Sequence, residues 1–175
     1  MISWVIATTL FLDQLTKYLA MHYLVGRTEA IPLIPGFISL YYRPNTGAAY
    51  GMMEGQPFAL SLVTLAAIIL IGWIAWKTPR DHHWARWGYS LILGGAAGNL
   101  VDRLIRGAAP LQGHVVDFME FKFPSIFARF SFVNNLADDA ISIGFVCVLI
   151  AFFIYPQTTA APTGHGETEP SPASD

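Results

Sequence analysis

Carboxylates and amides are the side chains of this sequence with chemistry to offer, and they gather where apolar runs end. The acids near such ends are Asp13, Asp102, Asp117, Glu120, Asp138 and Asp139, accompanied by Asn45, Asn99, Asn135 and Arg103. The densest stretch is Gly94-Gly95-Ala96-Ala97-Gly98-Asn99-Leu100-Val101-Asp102-Arg103, where small residues give way to an amide, a carboxylate and a guanidinium. In lipid, Gly and Ala let a neighbouring backbone approach closely. Asn, Asp and Arg at the end of such a helix must face protein or water. Two carboxyl groups held close together cannot both ionise easily and tend to share one proton near neutral pH. The ionised member then takes a proton from water while the protonated member hydrogen-bonds a peptide carbonyl. Water attack gives a tetrahedral diol with no metal, no cofactor and no covalent intermediate.

The residues for other hydrolytic chemistries are missing. The sequence has no Ser-x-x-Lys, Gly-x-Ser-x-Gly, His-Glu-x-x-His or phosphate-binding glycine loop. His82 and His83 have no third ligand at useful spacing and read as a solvated loop. Cys147 stands alone in an apolar run, as a packing side chain does.

The elements that must position the acids are apolar helices. Of 175 residues, 54% are hydrophobic and only 13% charged, against about 25% charged in soluble domains. Mean hydropathy is +0.46, and the apolar residues come in long blocks. That is the pattern of an integral membrane protein of one domain, residues 1–155. A net charge of −2 with no basic stripe argues against nucleic acid as a partner. Four spans are expected, at about 2–25, 58–76, 87–105 and 137–155. Asp13 and Lys17 share a face of the first, spaced i, i+4; an orienting ion pair and a direct catalytic role are equally compatible with that spacing.

Segments 26–57 and 106–136 are polar loops broken by proline and glycine. Phe37 to Tyr42 and His114 to Phe123 read as short strands. Asn45, after Pro44, is either a turn residue or an amide aimed at the acids. Asp138 or Asp139 could simply complement the dipole of the last helix, while Glu120, Lys122 and Asp139 read as solvated charges. Residues 156–175, rich in Thr, Ala, Pro, Gly and Glu, read as a disordered tail. Lys77, Arg80 and Arg86 in one short loop place it in the cytoplasm. Both termini then lie on that side, and both long loops share the outer face with the polar helix ends. Asp117 and Asp138 can meet there if the loop folds back, but the residues alone leave the choice of pair open. A proton-coupled transporter or a non-enzymatic membrane subunit are the competing readings. The first lacks polar residues continuing to the inner side and an internal repeat; the second leaves Asp117 and Asp138 unexplained.

Five stretches occur in order: Asp13-Gln14-Leu15-Thr16-Lys17, Asn45-Thr46-Gly47-Ala48-Ala49-Tyr50-Gly51, Gly94 to Arg103, Gly113-His114-Val115-Val116-Asp117-Phe118, and Asn135-Leu136-Ala137-Asp138 with Ile141 and Gly144. Together they resemble the type II signal peptidases, the lipoprotein signal peptidases of bacterial inner membranes. The resemblance implies a mainly α membrane protein of four transmembrane helices with a small extracytoplasmic β-rich cradle. It implies an aspartyl endopeptidase that cleaves a prolipoprotein before a diacylglyceryl-modified cysteine, its active site toward the outer face. On matching positions Asp117 and Asp138 are the catalytic pair. Asn45, Asn99, Arg103 and Asn135 bind substrate, and Asp13, Lys17 and Asp102 support the site. A monomer in contact with membrane lipid is expected. The sequence departs from the resemblance at Ala108 to Gln112, an apparent insertion bearing on substrate access. It departs again at Tyr50, for the usual Phe, and at Asn134, for an aromatic, a change expected to tune packing.

Overall fold

The computed structural model describes residues 2–47, 53–123 and 131–155. Ala48 to Gly51 of the second stretch, Pro124 and the tail from 156 lie outside the described residues. The chain is mainly helical with one small sheet. Its order is α1 (Ile2–Leu24), β1 (Ile31–Ile34), β2 (Ile38–Asn45), α2 (Pro57–Lys77), α3 (His83–Ile105), β3 (Val115–Phe121), β4 (Phe132–Asn134) and α4 (Leu136–Ile154).

Three helices match the expected apolar runs to within a residue or so at each end. α3 starts at His83, four residues before the expected Trp87, because its first turn lies in the charged loop, where His83 and Arg86 need no apolar neighbour. Among the described residues, α2 and α4 are long and apolar enough to cross a membrane on composition alone; α1 and α3 carry the buried charges instead. α3 is the hub, packed against α1, α2 and α4. A Cβ on Gly88 would lie 2.6 Å from the Gly144 carbonyl oxygen, and one on Gly144 2.6 Å from that of Gly88, so α3 and α4 touch backbone to backbone there.

The burial pattern is inverted relative to a water-soluble protein. Among the described residues, the largest side chains below 2% exposed are Lys17, Val116, Asn135, Asp13, Asp102, Asp117, Ser61 and Ser90, with Val116 the one apolar member. Phe11, Val63, Ile69, Trp73, Phe152 and Phe153 meanwhile face outward. Polar groups inside and apolar groups outside suit a lipid surround, where an unpaired charge is costly and an apolar surface is not.

The sheet is antiparallel in the order β1-β2-β3-β4. β2 and β3 correspond to the two expected strands; β1 and β4 do not appear in the sequence reading. Pro32 lies within β1 and is tolerated because β1 is an edge strand. One face of the sheet sits on the end of α1, where Ala20 and Leu24 pack with Val116 and Phe118, joined by Ile31 and Leu40. Burying a Val or Phe contributes roughly 1.5–3 kcal/mol each, so this cluster anchors the sheet. The insertion closes on itself: the Gly113 amide donates to the Arg103 carbonyl at 2.8 Å, and the Leu111 carbonyl accepts from the buried Ser61 hydroxyl of α2 at 2.9 Å.

Candidate active site

Asp117 stands mid-strand on β3, 2% exposed. A bulge in β2 decides what faces it. Leu40 pairs with Met119, yet Arg43 pairs with Asp117, so β2 spends one residue more than β3 over the same length. The shift flips the alternation of β2 and brings Asn45 to the Asp117 face, where its Nδ2 donates to Asp117 Oδ2 at 2.8 Å. Asn45 Oδ1 accepts the Gly47 amide at 2.9 Å. The turn and the aimed amide are therefore both present in one residue.

Asp138 lies in the first turn of α4, whose N-cap is Asn135. The cap oxygen accepts the Asp138 amide at 3.1 Å, and the Asn135 Nδ2 donates to Asp117 Oδ1 at 2.6 Å. One fully buried asparagine thus ties the residue bearing one carboxylate to the carboxylate of the other. The cap is Asn135, not Asp138 or Asp139, which leaves the Asp138 carboxylate for other partners. Asn99 donates to its Oδ1 at 2.8 Å and accepts from Lys17 Nζ at 2.8 Å. All three asparagines share one logic. Each oxygen is held by a group that can only donate, a backbone N–H or an ammonium, so each NH2 must face a carboxylate.

Beneath them lies a closed ion network. Lys17 Nζ meets Asp13 at 2.9 Å and Asp102 at 3.0 Å, besides Asn99, so its three donors are all used. Both acids also reach the site, Asp13 through its other oxygen and Asp102 through the oxygen that meets Lys17. Asp13 Oδ1 accepts the Ala137 amide at the head of α4, and Asp102 Oδ2 accepts the Val116 amide next to Asp117. Gly98 leaves room for Asp13, whose carboxylate occupies the space a side chain would take. Gln14 donates to Asp13, to the Gly98 carbonyl and to Asp102, each at 3.1 Å, and Arg106 Nε pairs with Asp102 at 2.8 Å. Gln14 and Arg106 were not singled out from the sequence; the Asp102–Arg106 spacing of i, i+4 is the signal that could have found the second.

Asn45, Asn99, Arg103, Asn134, Asp117 and Asp138 line one cavity of about 780 Å³. Arg103 donates to the Gly47 carbonyl at 3.2 Å. Burial, and then the neighbouring Asp138 charge, push the Asp117 carboxyl up to about 6, against the hydrogen bonds from Asn45 and Asn135. Glu120 lies outside this group and pairs with Lys122 at 2.9 Å. Asp139 is not free in solvent as expected but accepts from Asn134 at 2.6 Å. Residues 108–112 do not line the cavity; Cys147 lines a separate apolar groove with Trp84, Trp87 and Leu91.

Residues 5–154 match the family model described as signal peptidase (SPase) II. The chain belongs to the signal peptidase II family. It is 39% identical over 150 residues to a lipoprotein signal peptidase of Trichormus variabilis, covering 85% of this chain and 87% of the relative. A relative of the same description from Nostoc punctiforme is 39% identical over 163 residues, 92% of this chain and 93% of the relative. The fold is similar to that of a solved bacterial membrane enzyme, with TM-score 0.74, 26% identity and 87% of each chain covered. Family membership makes this an aspartic endopeptidase of the bacterial membrane, which removes signal peptides from lipoprotein precursors.

Proposed function

We propose that Asp117 and Asp138 are the catalytic pair of this peptidase, sharing one proton over a water that attacks the peptide bond. The observation that carries this reading is Asn135, whose one side chain reaches both residues. Among the described residues, amides and not cations are the hydrogen-bond partners of both carboxylates, so neither is locked as a spectator ion. The ionised member accepts a proton from water. The protonated member donates to the substrate carbonyl, and the diol collapses with proton transfer to the leaving amine. Such a pair titrates as a unit.

In this reading Arg103 and the remaining N–H groups of Asn45, Asn99 and Asn135 hold the substrate backbone, and Asp13, Lys17 and Asp102 fix the frame. All four helices span the bilayer, with the sheet and the carboxylates at its outer rim and both termini in the cytoplasm. The outward apolar side chains of all four helices support this. Asp13 and Lys17 of α1 and Asp102 of α3 are turned inward and paired, which removes the objection that these charges disqualify the two helices. Residues 1–155 form the peptidase domain, and 156–175 are a cytoplasmic tail. The substrate is a precursor with a diacylglyceryl-modified cysteine, its acyl chains kept in the leaflet; the enzyme works as a monomer and binds no nucleic acid.

Asp117→Asn and Asp138→Asn, assayed separately on a lipid-modified precursor in detergent, test the assignment. Each is expected to lose cleavage by at least about a thousandfold, in the range seen when a reacting group is removed, while still inserting and folding. Cleavage retained by either variant moves the chemistry elsewhere.

A further inference from the structure

Among the described residues, two buried side-chain atoms lack a hydrogen-bond partner: Arg103 Nε and Asn134 Oδ1. Both residues line the cavity that holds Asp117 and Asp138. One atom is a donor and the other an acceptor. A buried orphan costs the full desolvation of its group, so two in one cavity call for a ligand that answers both. A peptide backbone does, with its carbonyl toward the arginine and its N–H toward the asparagine.

The Asn134 oxygen cannot be turned away. Its NH2 donates to Asp139 Oδ1 at 2.6 Å, and reversing the amide would set oxygen against oxygen. The other amide oxygens of the site are already taken: Asn45 by Gly47, Asn99 by Lys17, Asn135 by the Asp138 backbone. A substrate N–H arriving here therefore finds Asn134. Its chain neighbour Asn135 joins the Asp117 carboxylate to the Asp138 backbone amide, and Asn134 lines the same cavity as both acids. β4 ends at Asn134 as an edge strand, so the adjoining backbone is already extended.

We propose that Asn134 Oδ1 accepts a backbone N–H of the precursor next to the cleaved bond, making Asn134 a substrate-binding residue and Asp139 the group that aims it. This rests on the assignment of Asp117 and Asp138 above. It replaces the packing role expected for Asn134, because an aromatic side chain at this position could offer no such acceptor.

The test uses lipid-modified precursor peptides carrying single amide-to-ester replacements at the bonds flanking, but not including, the cleaved one. Each ester removes one N–H without changing shape. In the parent enzyme one position is expected to lower kcat/KM about three- to tenfold, the worth of one neutral hydrogen bond. Asn134→Leu is expected to lose about the same factor on the all-amide peptide and to show no further loss at that ester. Asp139→Ala, which frees the amide to turn, is expected to shrink the penalty at the same position. No sensitive position in the parent, or an unchanged penalty in both variants, overturns the role of Asn134. Cleavage that survives Asp117→Asn would instead overturn the assignment on which it rests.

Discussion

Two pairs of acids lie one side chain apart, and they differ in what faces them. Asp13 and Asp102 face cations: Lys17 sits between them, and Arg106 closes the outer side. Asp117 and Asp138 face amides. Asn99 is the link, accepting from Lys17 and donating to Asp138. A carboxylate paired with a buried cation is held in place, and breaking the pair strands a charge. A carboxylate held only by amides keeps a proton affinity within reach of neutral pH, as Asp117 does. The contrast separates a frame from a reaction centre in residues of the same chemical type. The two groups also divide the backbone, since Asp13 holds the head of α4 and Asp102 holds β3, the two elements that carry Asp138 and Asp117.

The sharpest way to break the comparison is to remove the shared cation. Lys17→Met leaves Asp13 and Asp102 buried without their common partner. The expected cost is about 3–5 kcal/mol, seen as a large drop in thermal midpoint in detergent, with cleavage lost only as the fold is lost. A variant that stays fully stable yet inactive would move Lys17 from the frame to the reaction centre.

A smaller effect on stability and a selective one on rate are expected at Asn135. Asn135→Ala removes a helix cap worth about 1 kcal/mol and lets Asp117 drift, which costs about a hundredfold in cleavage when reacting groups are misplaced. Asn135→Ser keeps a capping oxygen for the Asp138 amide but has no amide N–H for Asp117. It is expected to regain the stability and not the rate, as read by paired unfolding and cleavage assays. Recovery of both would reduce Asn135 to a cap.

Much of this division was legible in the sequence, for identifiable reasons. Apolar runs of some twenty residues permit little besides helices, so α1, α2 and α4 came within a residue or so of their bounds. The i, i+4 spacing of Asp13 and Lys17 announced a shared face, and the structure makes it an ion pair. β1 and β4 were not legible, because four residues containing Pro32 and three residues ending in Asn134 carry too little pattern; pairing with β2 and β3 creates them. The bulge that turns Asn45 toward Asp117 is invisible in the sequence too, since it exists only in the register of two strands. The residues alone supplied a set of acids but no pair; the choice of Asp117 with Asp138 came from resemblance. The sequence assigns Asn134 a packing role and Asp139 a solvated or helix-dipole role, because their meeting across the α4 cap depends on that turn's geometry.

The most direct measurement of the central claim follows the thermal midpoints of the parent and Asp117→Asn from pH 8 to pH 5, on preparations whose cleavage is also assayed. The Asp117 carboxyl is raised from 3.8 to about 6 in the folded chain, so the fold binds that proton more tightly than the unfolded chain does. Its charge therefore costs stability above about pH 6, and the cost is relieved as pH falls through 6 toward 4. The parent is expected to gain on Asp117→Asn as the medium is acidified through about pH 6, and the variant is expected to be folded but unable to cleave. A gap between the two that stays flat with pH, or a folded Asp117→Asn that still processes precursor, would contradict the account.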